Sequence, residues 1–323
     1  MATVKFSVVD VFSKKAYQGN PLAVVDDRDN ALTLSQMQLI TRQFNLSETT
    51  FVNSSTLPNV KYRLRSFLPN GREVFGAGHN SLGAIWWIAR NGLVGDETSR
   101  SDNDAEGLIF DVQIGAQAQA VRLVQHNPED IFVSLRQAPP NLHGKHQNKA
   151  ALARLIGLEE NEIGYANLPS QIVSTSSSKH LAVPISSVAA LQRAVVDRAS
   201  ILAELKTVDD HAFGLYLFAE DKSQVNGKKT FQARFFSPGM SGEDPATGSA
   251  AGPLARYVYE YGQLEPGAER IQVIVKQGQA VGRNFVIQVE LEKGDKEINV
   301  SIAADFVGVA EGKMLVPGAD IVF

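Results

Sequence analysis

Apolar and polar residues alternate from Met1 to Phe12, the period of a half-buried strand. Gly19-Asn20-Pro21 then reads as a turn, followed by a short apolar strand from Leu22 to Val25. The period changes next. Leu34, Met37, Ile40 and Phe44 recur at helical spacing, Thr33 with Gln36 fits a capping box, and Asn45 suits a left-handed stop. Thr49 to Val52 and Lys61 to Phe67 are β-branched and aromatic, with Pro69-Asn70-Gly71 as a turn. Leu82 to Ala89, with Trp86 and Trp87, is apolar on every side, which predicts a central helix buried all round. Strands resume near Gly107 to Ile114 and Ala118 to Val124. Ala138-Pro139-Pro140 and the polar stretch Asn141 to Lys149 read as a linker before a helix near Ala150 to Leu155. Later come strands at Phe213 to Ala219 and Phe231 to Phe236, a turn over Ser237 to Thr247, and a helix from about Ser249 to Tyr261. Pro253 falls in the opening turns of that helix, where a missing N–H is expected to cost least, and three or four strands follow from Ile271.

Two of these stretches are near copies. Arg65-Ser66-Phe67-Leu68-Pro69 leads to Gly78-His79-Asn80-Ser81, and Arg234-Phe235-Phe236-Ser237-Pro238 leads to Gly248-Ser249. Gly19-Asn20-Pro21-Leu22-Ala23-Val24-Val25 is echoed in the same order by Ser178-Lys179-His180-Leu181-Ala182-Val183-Pro184. The strands cluster around single helices instead of alternating with them. The expectation is therefore an α/β (α+β) chain of two pseudo-symmetric lobes, each a barrel-like sheet wrapped around its own helix, rather than a doubly wound sheet. The first lobe would span residues 1–136, completed by the last strand at about 306–323, and the second residues 137–305. Each copy would aim the amide groups of a helix start at a ligand, and two such starts would form an anion clamp.

Composition narrows the chemistry. The 323 residues suit two domains of about 150 each, and 44% hydrophobic content suffices for two cores. There is no cysteine, which removes disulfides, thiolate nucleophiles and thiolate metal sites. Thirty-one Lys and Arg stand scattered against 35 Asp and Glu, a net charge of −4 that lacks the basic patch of a nucleic-acid binder. No segment reaches the ~20 apolar residues of a membrane span, and a cytoplasmic protein is expected.

Several motifs fail their own requirements. Gly76-Ala77-Gly78 is followed by Ser81 where a dinucleotide fingerprint needs a third glycine, and neither a Walker lysine pattern nor a G-x-S-x-G elbow occurs. His143 and His146 have a metal-ligand spacing but lie in a polar stretch with no acidic residue nearby, so they read as solvated surface. His126, His180 and His211 are isolated. No metal or cofactor is implied. Glu48 differs, because it stands between an amphipathic helix and an apolar strand, where a carboxylate becomes partly buried and suited to acid/base work. A cap or a surface glutamate is the plainer alternative. Glu243 and Asp244 precede the second glycine turn, and helix capping would need only one of them. His79 adjoins the first glycine turn, as a ligand contact or as a cap.

Taken together, the Gly19 to Val25 segment, Asn45-Leu46-Ser47-Glu48-Thr49-Thr50-Phe51-Val52, Gly78-His79 with Gly83, and Glu243-Asp244-Pro245-Ala246-Thr247-Gly248-Ser249-Ala250 resemble the PhzF family of phenazine-biosynthesis-like isomerases, within the diaminopimelate epimerase-like superfamily. The resemblance spans essentially the whole chain. It implies an active site in a cleft between two lobes, a homodimer, and proton transfer by Glu48, with Asp244 and His79 holding and polarising the substrate. The two cysteines of the related epimerases align with Ala77 and Thr247, so racemisation by two thiols is impossible here. Where the family usually has Gly-His-Pro-Thr, this chain has Gly78-His79-Asn80-Ser81, a difference that bears on substrate.

The resulting expectation is a cofactor-independent isomerase that moves a proton within a small carboxylate-bearing metabolite. Glu48, Asp244 and His79 are its catalytic candidates; Asn20, Gly78, Asn80, Ser81, Gly248 and Ser249 would contact substrate. The rivals are an epimerase or racemase using Glu48 and Asp244 as opposed bases, and a binding protein that kept the scaffold without turnover.

Overall fold

A computed structural model describes the chain except residues 1, 77, 96–99, 102–106, 128–129, 176–177, 224–226, 239–241, 265–266 and 295–296, and the side chains of Arg100, Ser101 and His126. Ala77 and the His126 side chain, both singled out above, thus lie outside the described residues. The chain forms two compact units, one of Met1–Arg136 with Ala303–Phe323 and the other of Gln137–Ile302.

In the first unit, β1 (Thr3–Val11) pairs antiparallel with both β18 (Phe306–Leu315) and β2 (Asn20–Asp27). The sheet continues through β3 (Thr49–Ser54), parallel to β2, then antiparallel to β4 (Tyr62–Phe67), which runs parallel to β7 (Leu108–Ile114). Antiparallel β8 (Gln117–Asn127) and β9 (Asp130–Arg136) extend it, and the two-residue strands β5 (Glu73–Val74) and β6 (Arg100–Ser101) lie against β4 and β7.

The second unit repeats the series. β11 (Gln171–Ser174) is antiparallel to β12 (Lys179–Pro184), β12 is parallel to β13 (Gly214–Glu220), and β13 is antiparallel to β14 (Lys229–Phe236). β14 is parallel to β15 (Arg270–Gln277), which is antiparallel to β16 (Phe285–Lys293). The senses match those of β1, β2, β3, β4, β7 and β8 one for one. The copied segments fall on equivalent strands, β2 with β12 and β4 with β14. β17 (Ile298–Ala304) carries the chain back to the first unit.

Helices fill the two parallel crossovers in each unit. α1 (Leu34–Phe44) joins β2 to β3; its capping box between Thr33 and Gln36 and its left-handed Asn45 (φ 51°) are the signals seen in the sequence. α2 (His79–Arg90) joins β4 to β7 and packs against β1, β2, β3, β4 and β9. Every α2 residue from His79 to Ala89 is buried, as its unbroken apolar character demands. A Cβ on Gly83 would come within 2.7 Å of Leu22 and 2.8 Å of Val11, so this glycine sets how closely helix and sheet approach. Trp87 Nε1 donates to Ser7 Oγ at 3.0 Å, and Trp86 stacks on Phe306.

In the second unit α6 (Gly248–Glu260) occupies the equivalent crossover and packs against β11 and β16. Its Gly252 leaves room for Gln137, whose Nε2 donates to the Gly248 carbonyl at 3.0 Å. Pro253 is the sixth residue of this helix, beyond the four free amides of its first turn, so it removes an intrahelical bond instead of falling where none is made.

One element was misread in the sequence, and two short helices carried no readable signal. The polar stretch read as a linker forms β10 (Asn141–Lys145), paired with β11, and α3 (Lys149–Ile156) begins at once. A strand paired through its backbone on one side can carry polar side chains throughout. The other crossover holds two six-residue helices, α4 (Val188–Arg193) and α5 (Ile201–Lys206), too short to show a full apolar stripe; they pack with α3 and β13 over a core that includes Leu155, Leu191, Leu205 and Leu217.

Candidate active site

In the first unit the site is built where β3 and α2 begin. Glu48 immediately precedes β3 and His79 opens α2, and the fold brings His79 Nε2 to 3.2 Å from Glu48 Oε2 and 3.4 Å from Ser47 Oγ. The 3.2 Å contact lacks hydrogen-bond alignment, so Oε2 is shielded from solvent yet accepts no hydrogen bond from the described residues. A buried carboxylate oxygen without a donor is costly and calls for an explanation. Its lone pairs are uncommitted among the described residues.

The start of α2 is tied down from behind. Thr50 Oγ1 donates to the Asn80 carbonyl at 3.3 Å and shares a 2.8 Å hydrogen bond with Ser66 Oγ, while Ser81 Oγ donates to the Gly76 carbonyl at 3.2 Å. The Ser81 hydroxyl is thus engaged in the turn, and its amide is the group left for a ligand. The first intrahelical bond runs from Leu82 N to Gly78 O, and no side chain caps the amides before it. A Cβ on Gly78 would meet only Asn80 Oδ1, at 3.4 Å. Asn20, at the first position of β2, and Asn80 are buried, and their side-chain amides make no hydrogen bond among the described residues.

The second unit holds Asp244, Gly248 and Ser249 around the start of α6. Asp244 Oδ2 accepts from Thr247 Oγ1 at 2.7 Å and Oδ1 from Ala246 N at 3.3 Å, a side chain folded onto its own turn. Gln277, buried at the end of β15, holds that turn: its Nε2 donates to the Asp244 carbonyl (2.6 Å) and to Thr247 Oγ1 (3.0 Å), and its Oε1 accepts from Thr247 N (3.2 Å) and Tyr216 Oη (3.4 Å). Burial first, then the nearby Asp244 charge, push the Tyr216 phenol far above its ordinary range. Like α2, α6 begins with no side-chain cap.

Glu243 has a separate task. Arg234 clamps it through Nε, 3.1 Å from each carboxylate oxygen, and through Nη2, and Nη1 also donates to the carbonyls of Leu191 and Ala194. The first unit has the same device: Arg65 binds Glu73 through Nε (2.8 Å) and Nη2 (2.7 Å). The repeated arginine therefore anchors the loop before the helix start in each copy. Only Asp244 of the two neighbouring acids remains a site candidate.

Sequence reasoning missed Gln277, Thr50 and the Arg–Glu clamps. The clamps had a signal, since the repeated arginine is followed by a glutamate eight or nine residues later in both copies. It also misread His146, which is buried and lies 2.6 Å from Glu204 of α5; His143 bonds Ser174 Oγ at 2.7 Å. Sequence distance hid the acidic partner.

Comparison with known proteins gives first the class, that of the isomerases, and then the family. The chain is a member of the phenazine biosynthesis-like (PhzC-PhzF) family, whose model matches residues 9–312. It is 31% identical to the uncharacterized isomerase mll1393 of Mesorhizobium japonicum over 98% of this chain and 100% of that one. It is 29% identical to the trans-2,3-dihydro-3-hydroxyanthranilate isomerase of Pseudomonas chlororaphis over 96% and 99%. The crystal structure of a PhzF-family phenazine biosynthesis protein from Bacillus anthracis superposes with a TM-score of 0.81 at 26% identity, covering 98% of this chain and all of that one. The sheet-rich α/β fold is thus the PhzF and diaminopimelate epimerase-like fold expected from the sequence. No helix among the described residues is long and apolar enough to cross a membrane.

Proposed function

We propose that this protein is an isomerase that needs no cofactor and moves a proton within a small carboxylate-bearing metabolite, with Glu48 as the acid/base. The observation that carries the reading is Glu48 Oε2, shielded from solvent, unserved by any donor among the described residues and 3.2 Å from His79 Nε2. Glu48 takes a proton from one carbon and returns it at another. His79 holds and polarises the substrate, and the uncapped amides beginning at Gly78 bind the substrate's carboxylate and the charge that develops beside it. Asn20 and Asn80 supply further hydrogen bonds. The Pseudomonas relative, whose name specifies an anthranilate-type acid, supports a substrate of this kind.

Asp244, Gly248 and Ser249 enter the same proposal as substrate contacts. Both Asp244 oxygens accept bonds within their own turn, which favours a holding role over that of a second base and so isomerisation over two-base epimerisation. A homodimer and a cytoplasmic location go with this reading, and sedimentation of the purified chain checks the first. The decisive experiment is Glu48→Gln: folding and ligand affinity persist while turnover falls at least ~10²-fold. Near-normal turnover rejects the assignment. Reaction in heavy water separates the two chemistries, because deuterium at a new carbon marks isomerisation and exchange at an unmoved stereocentre marks epimerisation.

A further inference from the structure

Strand register pairs Gln277 with a residue of the first unit that has no polar group. Leu64 and Ala233 are equivalents, each one residue before the repeated arginine, and their partners on the parallel neighbouring strands are Ile114 of β7 and Gln277 of β15. A left-handed glycine follows each strand, Gly115 (φ 62°) and Gly278 (φ 93°). The scaffold thus accepts an apolar residue at this place. Gln277 is instead 1% exposed and engages both ends of its amide.

Its partners fix the direction of every proton. Thr247 N can only donate and the Asp244 carbonyl can only accept, so Oε1 faces the first and Nε2 the second. The other Nε2 hydrogen goes to Thr247 Oγ1, at 3.0 Å. Because Nε2 accepts nothing, the hydroxyl accepts there and turns its single hydrogen to Asp244 Oδ2, 2.7 Å away. The donors therefore run one way, from β15 through Thr247 to the Asp244 carboxylate. Tyr216 Oη, on a fully buried residue of β13, donates to Oε1 at 3.4 Å. Tyr216 and Thr50 are also equivalents, each one residue before the partner of the repeated arginine. Thr50 bonds the start of α2 directly, through the Asn80 carbonyl, whereas Tyr216 acts through Gln277.

We infer that Gln277 is a positioning residue: through the Thr247 hydroxyl it sets the orientation of the Asp244 carboxylate, and with it the affinity for substrate. The inference rests on the proposed reading of Asp244 as a substrate contact. Anthranilate, an acid of the type named for the Pseudomonas relative, is the probe, titrated calorimetrically into the full chain. Asp244→Ala tests the contact itself and should weaken binding at least ~10-fold; Thr247→Val and Gln277→Leu should come within severalfold of that loss, while Thr247→Ser, which keeps the hydroxyl, stays within about twofold of the native chain. Valine matches threonine in shape and serine does not, so a packing role predicts the reverse order. Crystal structures of the two Thr247 variants should show the Asp244 carboxylate displaced in the valine form alone. Should Gln277→Leu fail to fold, the Thr247 pair decides. Native affinity in Thr247→Val, with affinity lost in Asp244→Ala, overturns the inference and leaves the catalytic reading standing. Unchanged binding in Asp244→Ala, or no millimolar binding of anthranilate by the native chain, overturns the reading of Asp244 as a contact and the inference with it.

Discussion

The two units share a scaffold and differ in what stands at its chemical position. Both run through the same series of strand senses, both clamp the pre-helix loop with an Arg–Glu pair, and both begin the central helix without a side-chain cap. At the start of β3, however, the first unit has Glu48 against His79. The start of β13 has Phe213, Gly214 and Leu215, with His180 packed edge-on against Phe213 and Phe235. One copy carries a carboxylate with unserved lone pairs and the other an apolar cluster around a neutral imidazole. Duplication preserved the parts that position a site, and the reactive group was free to diverge.

The largest effect should come from the position at which the copies differ. Glu48→Gln removes the carboxylate peculiar to the first unit and should lower turnover by 10²- to 10⁴-fold, up to about 5 kcal/mol of barrier. Phe213→Leu, just before β13 and next to the equivalent position Gly214, should change turnover less than about tenfold. Steady-state kinetics of both variants tests the asymmetry, and comparable losses would erase it.

The shared clamps come next. Arg234→Ala leaves Glu243 without its partner and also strips two carbonyls of a donor, with a cost of about 3–4 kcal/mol; Arg65→Ala, at a slightly more exposed pair, should cost about 2–3 kcal/mol. Denaturant unfolding measures both. A negligible loss at either would mean that the repeated arginine is a remnant and not an anchor.

Acid sensitivity should belong to the second unit. Burial holds the His180 imidazole down from 6.5 to about 3, and neither ring nitrogen has a partner among the described residues. The folded state therefore keeps the ring neutral where the unfolded chain binds a proton, so this stability is present above pH 6.5 and is lost as pH falls toward 3. By about pH 4.5 the loss is about 2–3 kcal/mol. His180→Leu should flatten that part of the stability profile with little loss at neutral pH, and an unchanged acid slope would show that other groups govern it.

How much of this was legible in the sequence depended on the distance over which each feature is encoded. The α1 cap needs only Thr33, Gln36 and Asn45, and the burial of α2 needs only its own composition, so both could be read locally. The duplication was legible because Arg65 and Arg234 head similar strings. Gln277 was not, because it reaches Thr247 across 30 residues, nor was Glu204, which lies 58 residues from His146. β10 was missed because backbone pairing to β11, and no side-chain pattern, makes Asn141–Lys145 a strand. Of the site, Glu48 and His79 could be named one by one; their 3.2 Å approach depends on how α2 packs against β3.

The smallest effect tests why the duplicated helices begin uncapped while α1, α3 and α4 are capped by Thr33, Asn148 and Ser187. Gly78 has the extended backbone of an N-cap (φ −130°, ψ −152°), and a side chain there would meet only Asn80 Oδ1. Gly78→Ser should therefore be accommodated and add a few tenths of a kcal/mol of stability as its hydroxyl accepts from the second or third amide of the helix. Those amides are the ones proposed to hold the substrate's carboxylate. The same variant should weaken binding of a carboxylate substrate or inhibitor severalfold, since its hydroxyl competes for the donors and occupies the space in front of them. Stability and affinity measured on one protein would move in opposite directions. If Gly78→Ser gains stability and binds as before, the bare helix start is a relic of the duplication and serves no ligand.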